Sequence, residues 1–312
     1  MKYIDTPRLR ALSRRLQRKR VVVTVLLSLI SGVTAATGIN GWIGSERAIH
    51  PREAHYPWSI ADFPDLQPQE IAFKSRTHIT IAGSFFRGSR PATVLLSHGY
   101  GDNREQMLPY AEFLHKAGFT VLTYDMRSRG HSEGDAVTLG ALEPLDLISA
   151  VDYLTTRADV DHERIAALGV SLGASVTILA AADDLRIKAV VDDTGFSDAP
   201  SVVGSSFEHF IGLPQFPFAS VTVVLAELRT GVDLRRVRPI DAVERLGPRP
   251  LFIIHCMGDK FIPPDQSDRI FARAKEPKQI WRIPIGGHID GRVIASGEYG
   301  RRVVAFFRRA IK

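Results

Sequence analysis

Cysteine occurs once in the 312 residues, at Cys256, so the chain can form no intramolecular disulfide and no multi-thiolate metal site. That cysteine lies in the apolar run Leu251-Phe252-Ile253-Ile254-His255-Cys256 and reads as a buried, inert thiol. Charge is lacking over a long interval: no charged side chain stands between Arg20 and Glu46. The body also lacks a basic excess. Residues 1–20 hold eight Lys and Arg against Asp5, a local charge of +7, and the whole chain carries +6, so residues 21–312 carry 6 − 7 = −1. A near-neutral body gives nucleic acid little electrostatic purchase, and none is expected as a partner. Internal repeats and low-complexity tracts are absent as well.

The uncharged interval is itself informative. Residues 21–44 number 24, which as a helix reach about 36 Å at about 1.5 Å per residue, enough for a hydrocarbon core of about 30 Å. A segment uncharged on every face has no solvent side, which disfavours a soluble helix. The basic cluster of residues 1–20 precedes it, so the positive-inside rule keeps that end cytoplasmic and sends residues 45–312 across the membrane. Two readings fit: an uncleaved single-pass anchor, supported by Ile39, Trp42 and Ile43, or a cleaved signal peptide with Val33-Thr34-Ala35-Ala36 as its processing site. Both export the body of the chain. Residues 45–69, with Pro51, Pro57, Pro64 and Pro68, read as a linker packed partly on the domain beyond it.

From residue 70 the pattern turns regular. Glu70 to Lys74 and Ile79 to Phe86 read as a hairpin of edge strands. Further strands are predicted over Thr93 to Ser97, Thr120 to Tyr124, Ile165 to Gly169, Ala189 to Asp192, Leu251 to His255 and Gln279 to Ile283. Helices are predicted around Met107 to Lys116, Glu143 to Arg157, Leu172 to Ala182 and Ser267 to Ala274. Continuous apolar strands alternating with helices imply an α/β fold with an eight-stranded, mostly parallel sheet covered on both faces. Residues 199–248 are too long for a simple crossover and carry Phe207, Phe210, Phe216 and Phe218; they are expected to form a small helical cap over the ligand-binding edge.

The stretch Gly169-Val170-Ser171-Leu172-Gly173 joins a predicted strand to a predicted helix, the setting of a nucleophile elbow. A serine hydroxyl is a poor nucleophile at neutral pH and needs a base, which in turn needs a group to fix its tautomer. In chain order serine, acid, histidine, the base is His288, because it is the sole histidine after residue 259. Asp259, in the turn after an apolar strand, is the expected acid; Asp192 and Asp193 are the alternatives. The developing oxyanion needs donors, expected from the backbone N–H groups of Leu172 and of Tyr100 in His98-Gly99-Tyr100-Gly101. His98 precedes the serine and is expected to hold its loop by a hydrogen bond.

These blocks, together with Tyr124-Asp125-Met126-Arg127-Ser128-Arg129-Gly130-His131-Ser132 and Gly258-Asp259-Lys260-Phe261-Ile262-Pro263, resemble the α/β-hydrolase superfamily over residues 70–312. The branch is similar to the dienelactone-hydrolase and serine-aminopeptidase-like group, which includes membrane-anchored bacterial proteins. Two departures stand out: Ser128 is inserted where a glycine commonly follows the arginine, and Cys256 stands where many relatives have glycine. The resemblance implies that Arg127 and Arg129 brace a structural loop. The expected function is that of a serine hydrolase, carboxylesterase-like, acting on a small-molecule acyl substrate through an acyl-enzyme with no metal or organic cofactor. Acyl transfer or peptide cleavage would use the same triad, and an inactive membrane-tethered binding protein would use none of it.

Overall fold

The computed structural model describes residues 7–312, the side chains of residues 8 and 9 excepted. Eight strands form one sheet: β1 (Gln69–Lys74), β2 (Thr80–Phe86), β3 (Thr93–Ser97), β4 (Thr120–Tyr124), β5 (Ile165–Val170), β6 (Ile187–Asp193), β7 (Leu251–Cys256) and β8 (Lys278–Ile283). Their order is β1-β2-β4-β3-β5-β6-β7-β8. β1 and β2 pair antiparallel, as do β2 and β4, and every pairing from β4 to β8 is parallel. The expected sheet is therefore the one found, with the hairpin at one edge.

All six residues of β5 are buried, as a central strand with helices on both faces requires. Ile165 and Ala167 point to one side, where they meet α3 (Glu143–Thr155) and α4 (Leu172–Asp183) through Leu147, Val151 and Val176. Ala166, Leu168 and Val170 point to the other, against α2 (Leu108–Lys116) and the C-terminal helix Ser296–Ala310. That last helix is missing from the elements predicted by residue pattern. Its signal was present in Tyr299, Val303, Phe306 and Phe307, an i, i+4, i+7, i+8 apolar stripe that is buried throughout.

The interval 199–248 is helical as expected, with α5 (Ala199–Ser206), a π-helical turn at Phe207–Ile211, α6 (Gln215–Thr230) and α7 (Pro239–Ala242). Three more α-helices follow in the chain, α8 (Asp265–Arg273), α9 (Gly291–Ile294) and α10 (Ser296–Ala310).

The N-terminal segment departs from its expected boundary. Helix α1 runs unbroken from Pro7 to Ile49, five residues past Gly44, and the linker begins only there. Helix-compatible Glu46, Arg47 and Ala48 carry it on, and Pro51 disfavours helical backbone at His50. Thr37, Gly41, Ser45 and Ile49 form a buried stripe with a four-residue step, while residues 21–36 are exposed. The stripe lies on α6. A Cβ at Gly41 would come within 2.5 Å of Val221, and one at Gly44 within 2.6 Å of Thr222. The α1 helix is long and apolar enough to cross a membrane. Residues 50–69 fold back on the domain, burying Phe63 and Leu66, and the Trp58 indole N–H donates to the Glu105 carbonyl at 3.0 Å.

Candidate active site

Strand β5 ends at Val170, and the chain turns straight into α4. Ser171 at the turn has φ 54° and ψ −118°, a conformation that costs a non-glycine residue about 1–3 kcal/mol. The residues two positions to either side must be glycines for steric reasons. A Cβ at Gly169 would stand under 3.0 Å from the Gly173 carbonyl, and one at Gly173 under 3.0 Å from the Ser97 and His98 carbonyls. The turn is secured by the Ser171 N–H, which donates to the Asp193 carbonyl at 2.9 Å.

Parallel strands that all end at one edge deliver the other residues to the same place. Asp259 follows β7 and is buried; its Oδ1 accepts the N–H groups of Phe261 at 2.8 Å and Ile262 at 2.9 Å. His288 follows β8, across Gly286, whose φ of +98° suits glycine. The Asp290 carboxylate accepts the Gly287 N–H at 2.8 Å and holds that turn. Asp259 Oδ2 lies 2.8 Å from His288 Nδ1, and His288 Nε2 lies 2.9 Å from Ser171 Oγ. The carboxylate can only accept, so it fixes the proton on Nδ1 and leaves the Nε2 lone pair for the serine hydroxyl. Phe261 stands edge-on to the imidazole with centroids 4.8 Å apart.

The alternative acids are occupied elsewhere. Asp193 accepts from the Tyr299 hydroxyl at 2.7 Å, and Asp192 from the Gly195 N–H at 2.7 Å. Burial pushes both carboxyls up, Asp193 to about 6 and Asp192 to about 7. Asp192 Oδ2 has no partner among the described residues, so the protonated form suits that site.

Ser97 ends β3, and the loop after it is tightly tied. His98 is fully buried: its Nε2 accepts the Met126 N–H at 2.9 Å, which places its proton on Nδ1, 2.8 Å from the Gly99 carbonyl. Burial lowers its pKa and keeps it neutral. It is a loop brace, as expected. Arg127 pairs with buried Asp146 at 2.6 Å, and Arg129 donates to the carbonyls of Pro51, Gly101 and Asp102. Ser128 adopts φ +61°, a left-handed conformation that glycine takes more readily. The N–H groups of Tyr100 and Leu172 find no protein acceptor among the described residues. The Tyr100 hydroxyl donates to the Arg47 carbonyl of α1.

A cavity of about 570 Å³ opens over Ser171 and His288. Its walls include Phe196, Val203, Phe207, Phe210 and Phe261, with Gly44, Arg47 and Ala48 of α1 completing one side. That contribution from α1 was missed in the sequence. The legible trace was its small residues at a four-residue step, the pattern of a closely packed helix pair. Among the described residues no group of three or more His, Cys, Asp or Glu side chains converges as a metal site would require. Cys256 is buried, and burial raises its thiol to about 11.

The model of a family described as "Alpha/beta hydrolase family" matches residues 94–305. The chain belongs to this family. Among its relatives are "Uncharacterized protein YfhR" of Salmonella typhi, 32% identical over 219 residues covering 67% of each chain, and "Uncharacterized protein Rv2307c" of Mycobacterium tuberculosis, 26% identical over 285 residues covering 88% of this chain and 91% of the relative. The fold is shared with the Pyrococcus furiosus esterase Pf2001, at TM-score 0.70 and 22% identity over 84% of this chain and all of that one. It is shared too with a Pyrococcus horikoshii acylaminoacyl peptidase, at TM-score 0.61 and 18% identity over 82% of this chain and 44% of that one. This alpha/beta hydrolase thus has both esterase and peptidase structural neighbours.

Proposed function

We propose that the protein is a membrane-anchored serine hydrolase that cleaves carboxylic esters through an acyl-enzyme. The observation that carries this reading is the unbroken relay from Asp259 Oδ2 through His288 to Ser171 Oγ, at 2.8 Å and 2.9 Å. Ser171 Oγ attacks the ester carbonyl carbon while His288 Nε2 takes its proton. The negative charge that develops on the carbonyl oxygen meets the N–H groups of Tyr100 and Leu172, each worth on the order of 3 kcal/mol in the transition state. Collapse of the tetrahedral intermediate expels the alkoxide, which leaves with the proton held on Nε2. Water then attacks the acyl-serine, gives its proton to Nε2, and the acid departs as Ser171 is reprotonated.

Esters are favoured over peptides because aromatic and aliphatic side chains dominate the cavity and, among the described residues, no acidic cluster lines it to hold a substrate's amino terminus. The relationship to the dienelactone-hydrolase and serine-aminopeptidase-like branch belongs to the same proposal. So does the topology: residues 21–44 of α1 cross the bilayer, the basic end stays in the cytoplasm, and the catalytic domain faces outward. The test is turnover of soluble 4-nitrophenyl esters of graded chain length beside aminoacyl anilides. Ester turnover that falls at least about 10³-fold in Ser171→Ala supports the reading. Preferred cleavage of the anilides, or turnover that survives the substitution, contradicts it.

A further inference from the structure

The join between α1 and the cap leads to the substrate's source. We propose that the site takes its ester from the bilayer that holds α1, the substrate being the acyl ester of a membrane lipid whose chain slides into the cavity while the cap rests on the membrane surface. This rests on the serine-hydrolase and anchor readings above.

The distance is short. Ile43 closes the apolar run of α1 and Arg47 lines the cavity, a separation of four residues or about 6 Å along one continuous helix. No flexible linker intervenes that could carry the site away from the surface.

The orientation is locked as well. Gly41 and Gly44 let α6 approach α1 closely, the Thr222 hydroxyl donates to the Gly41 carbonyl at 3.4 Å, and Arg229 donates to Ser45 Oγ at 3.0 Å. Arg229 also pairs with Glu46 and lies over the Trp42 ring at 4.6 Å. Contacts advance together along both helices, Val221 with Gly41, Thr222 with Gly44, Arg229 with Ser45 and Glu46. The helices therefore run in the same direction, and the start of α6 points back toward the apolar run. Phe216 precedes Val221 by five residues at the kinked start of α6.

This end of the cap is apolar on the outside. Val224 lies three residues, about 60° of helix rotation, from Val221, which faces Gly41. Exposure reaches 78% at Phe216, 67% at Phe210 and 45% at Val224. An apolar face of this kind, continuous with a membrane helix, is matched by the interfacial zone of the same bilayer. Phe210 is both exposed and part of the cavity wall, and so marks the mouth at which a lipid chain would enter.

The test uses the full chain reconstituted in phosphatidylglycerol and phosphatidylcholine vesicles that carry a fluorogenic acyl lipid, with a water-soluble butyrate ester assayed in parallel. The variant is Phe216→Asp; the residue does not line the cavity and is exposed. The wild type is expected to hydrolyse both substrates. The variant is expected to keep its soluble-ester turnover, which also reports its folding, while its lipid turnover falls at least about tenfold as a carboxylate meets the interface. Equal loss on both substrates, no loss on either, or a wild type active on the soluble ester alone overturns the bilayer proposal and leaves the hydrolase reading standing. A wild type inactive on both overturns the two together.

Discussion

Replacing Asp259 with Asn probes how the histidine is oriented. In the native site Oδ1 accepts two backbone N–H groups, from Phe261 and Ile262, while Oδ2 faces His288 Nδ1 at 2.8 Å. The two backbone donors will hold the Asn carbonyl oxygen in the Oδ1 position, because an amide nitrogen there would set donor against donor. The NH₂ group then faces Nδ1 and stabilises the tautomer with its proton on Nε2. That nitrogen, 2.9 Å from Ser171 Oγ, becomes a donor and can no longer take the serine proton. In a relay of this kind such a change lowers kcat by about 10⁴, or about 5 kcal/mol of transition-state stabilisation. The assay is steady-state turnover of a soluble butyrate ester, with thermal melting to show that the variant is folded. A folded variant within about tenfold of the parent would refute the reasoning, since a lost tautomer costs far more; Asp193 would then be the first group to examine.

Three further outcomes are expected from the geometry. Gly173→Ala sets a Cβ under 3.0 Å from the Ser97 and His98 carbonyls, which are backbone and cannot rotate away, so stability in denaturant should fall by about 3 kcal/mol or more; a change under about 1 kcal/mol would count against the tight elbow. Asp193, raised to about 6 by burial, holds its proton more tightly in the fold than in the unfolded chain, so its contribution to stability falls as pH rises from about 4 to about 6. Asp193→Asn escapes that loss, and its melting temperature relative to the parent should climb across that window by the equivalent of about 1–3 kcal/mol, whereas a constant gap would contradict the raised value. Cys256, buried and raised to about 11, should resist iodoacetamide in the native protein at pH 7.5 and react only on unfolding; fast native labelling would show an open thiol.

Much of this fold could be read from residue pattern, for identifiable reasons. Strands β3 to β7 are buried on both faces and appear as short apolar runs, so their positions fell within a few residues of those observed. Ser171, Asp259 and His288 could be proposed because the chain offers one elbow, one histidine after residue 259 and, among several aspartates between them, one in a short glycine turn just past the seventh strand. The missing parts depend on what packs against what. The docking of α1 on the cap comes from contact of Gly41 and Gly44 with Val221, Thr222 and Phe207, residues some 160–180 positions away along the chain, and small residues on α1 look unremarkable until their partner helix is in view. The free N–H groups of Tyr100 and Leu172 and the occupied carboxylates of Asp192 and Asp193 likewise become visible only when the hydrogen bonds are counted.

The central claim is that Ser171 is a nucleophile activated by His288. A fluorophosphonate probe, followed by peptide mass spectrometry of the folded, full-length protein, tests it directly. The account predicts one modified residue, Ser171, with labelling abolished in Ser171→Ala and strongly slowed in His288→Ala. A folded protein that takes no label, or labelling that persists at another residue when Ser171 is replaced, would contradict it.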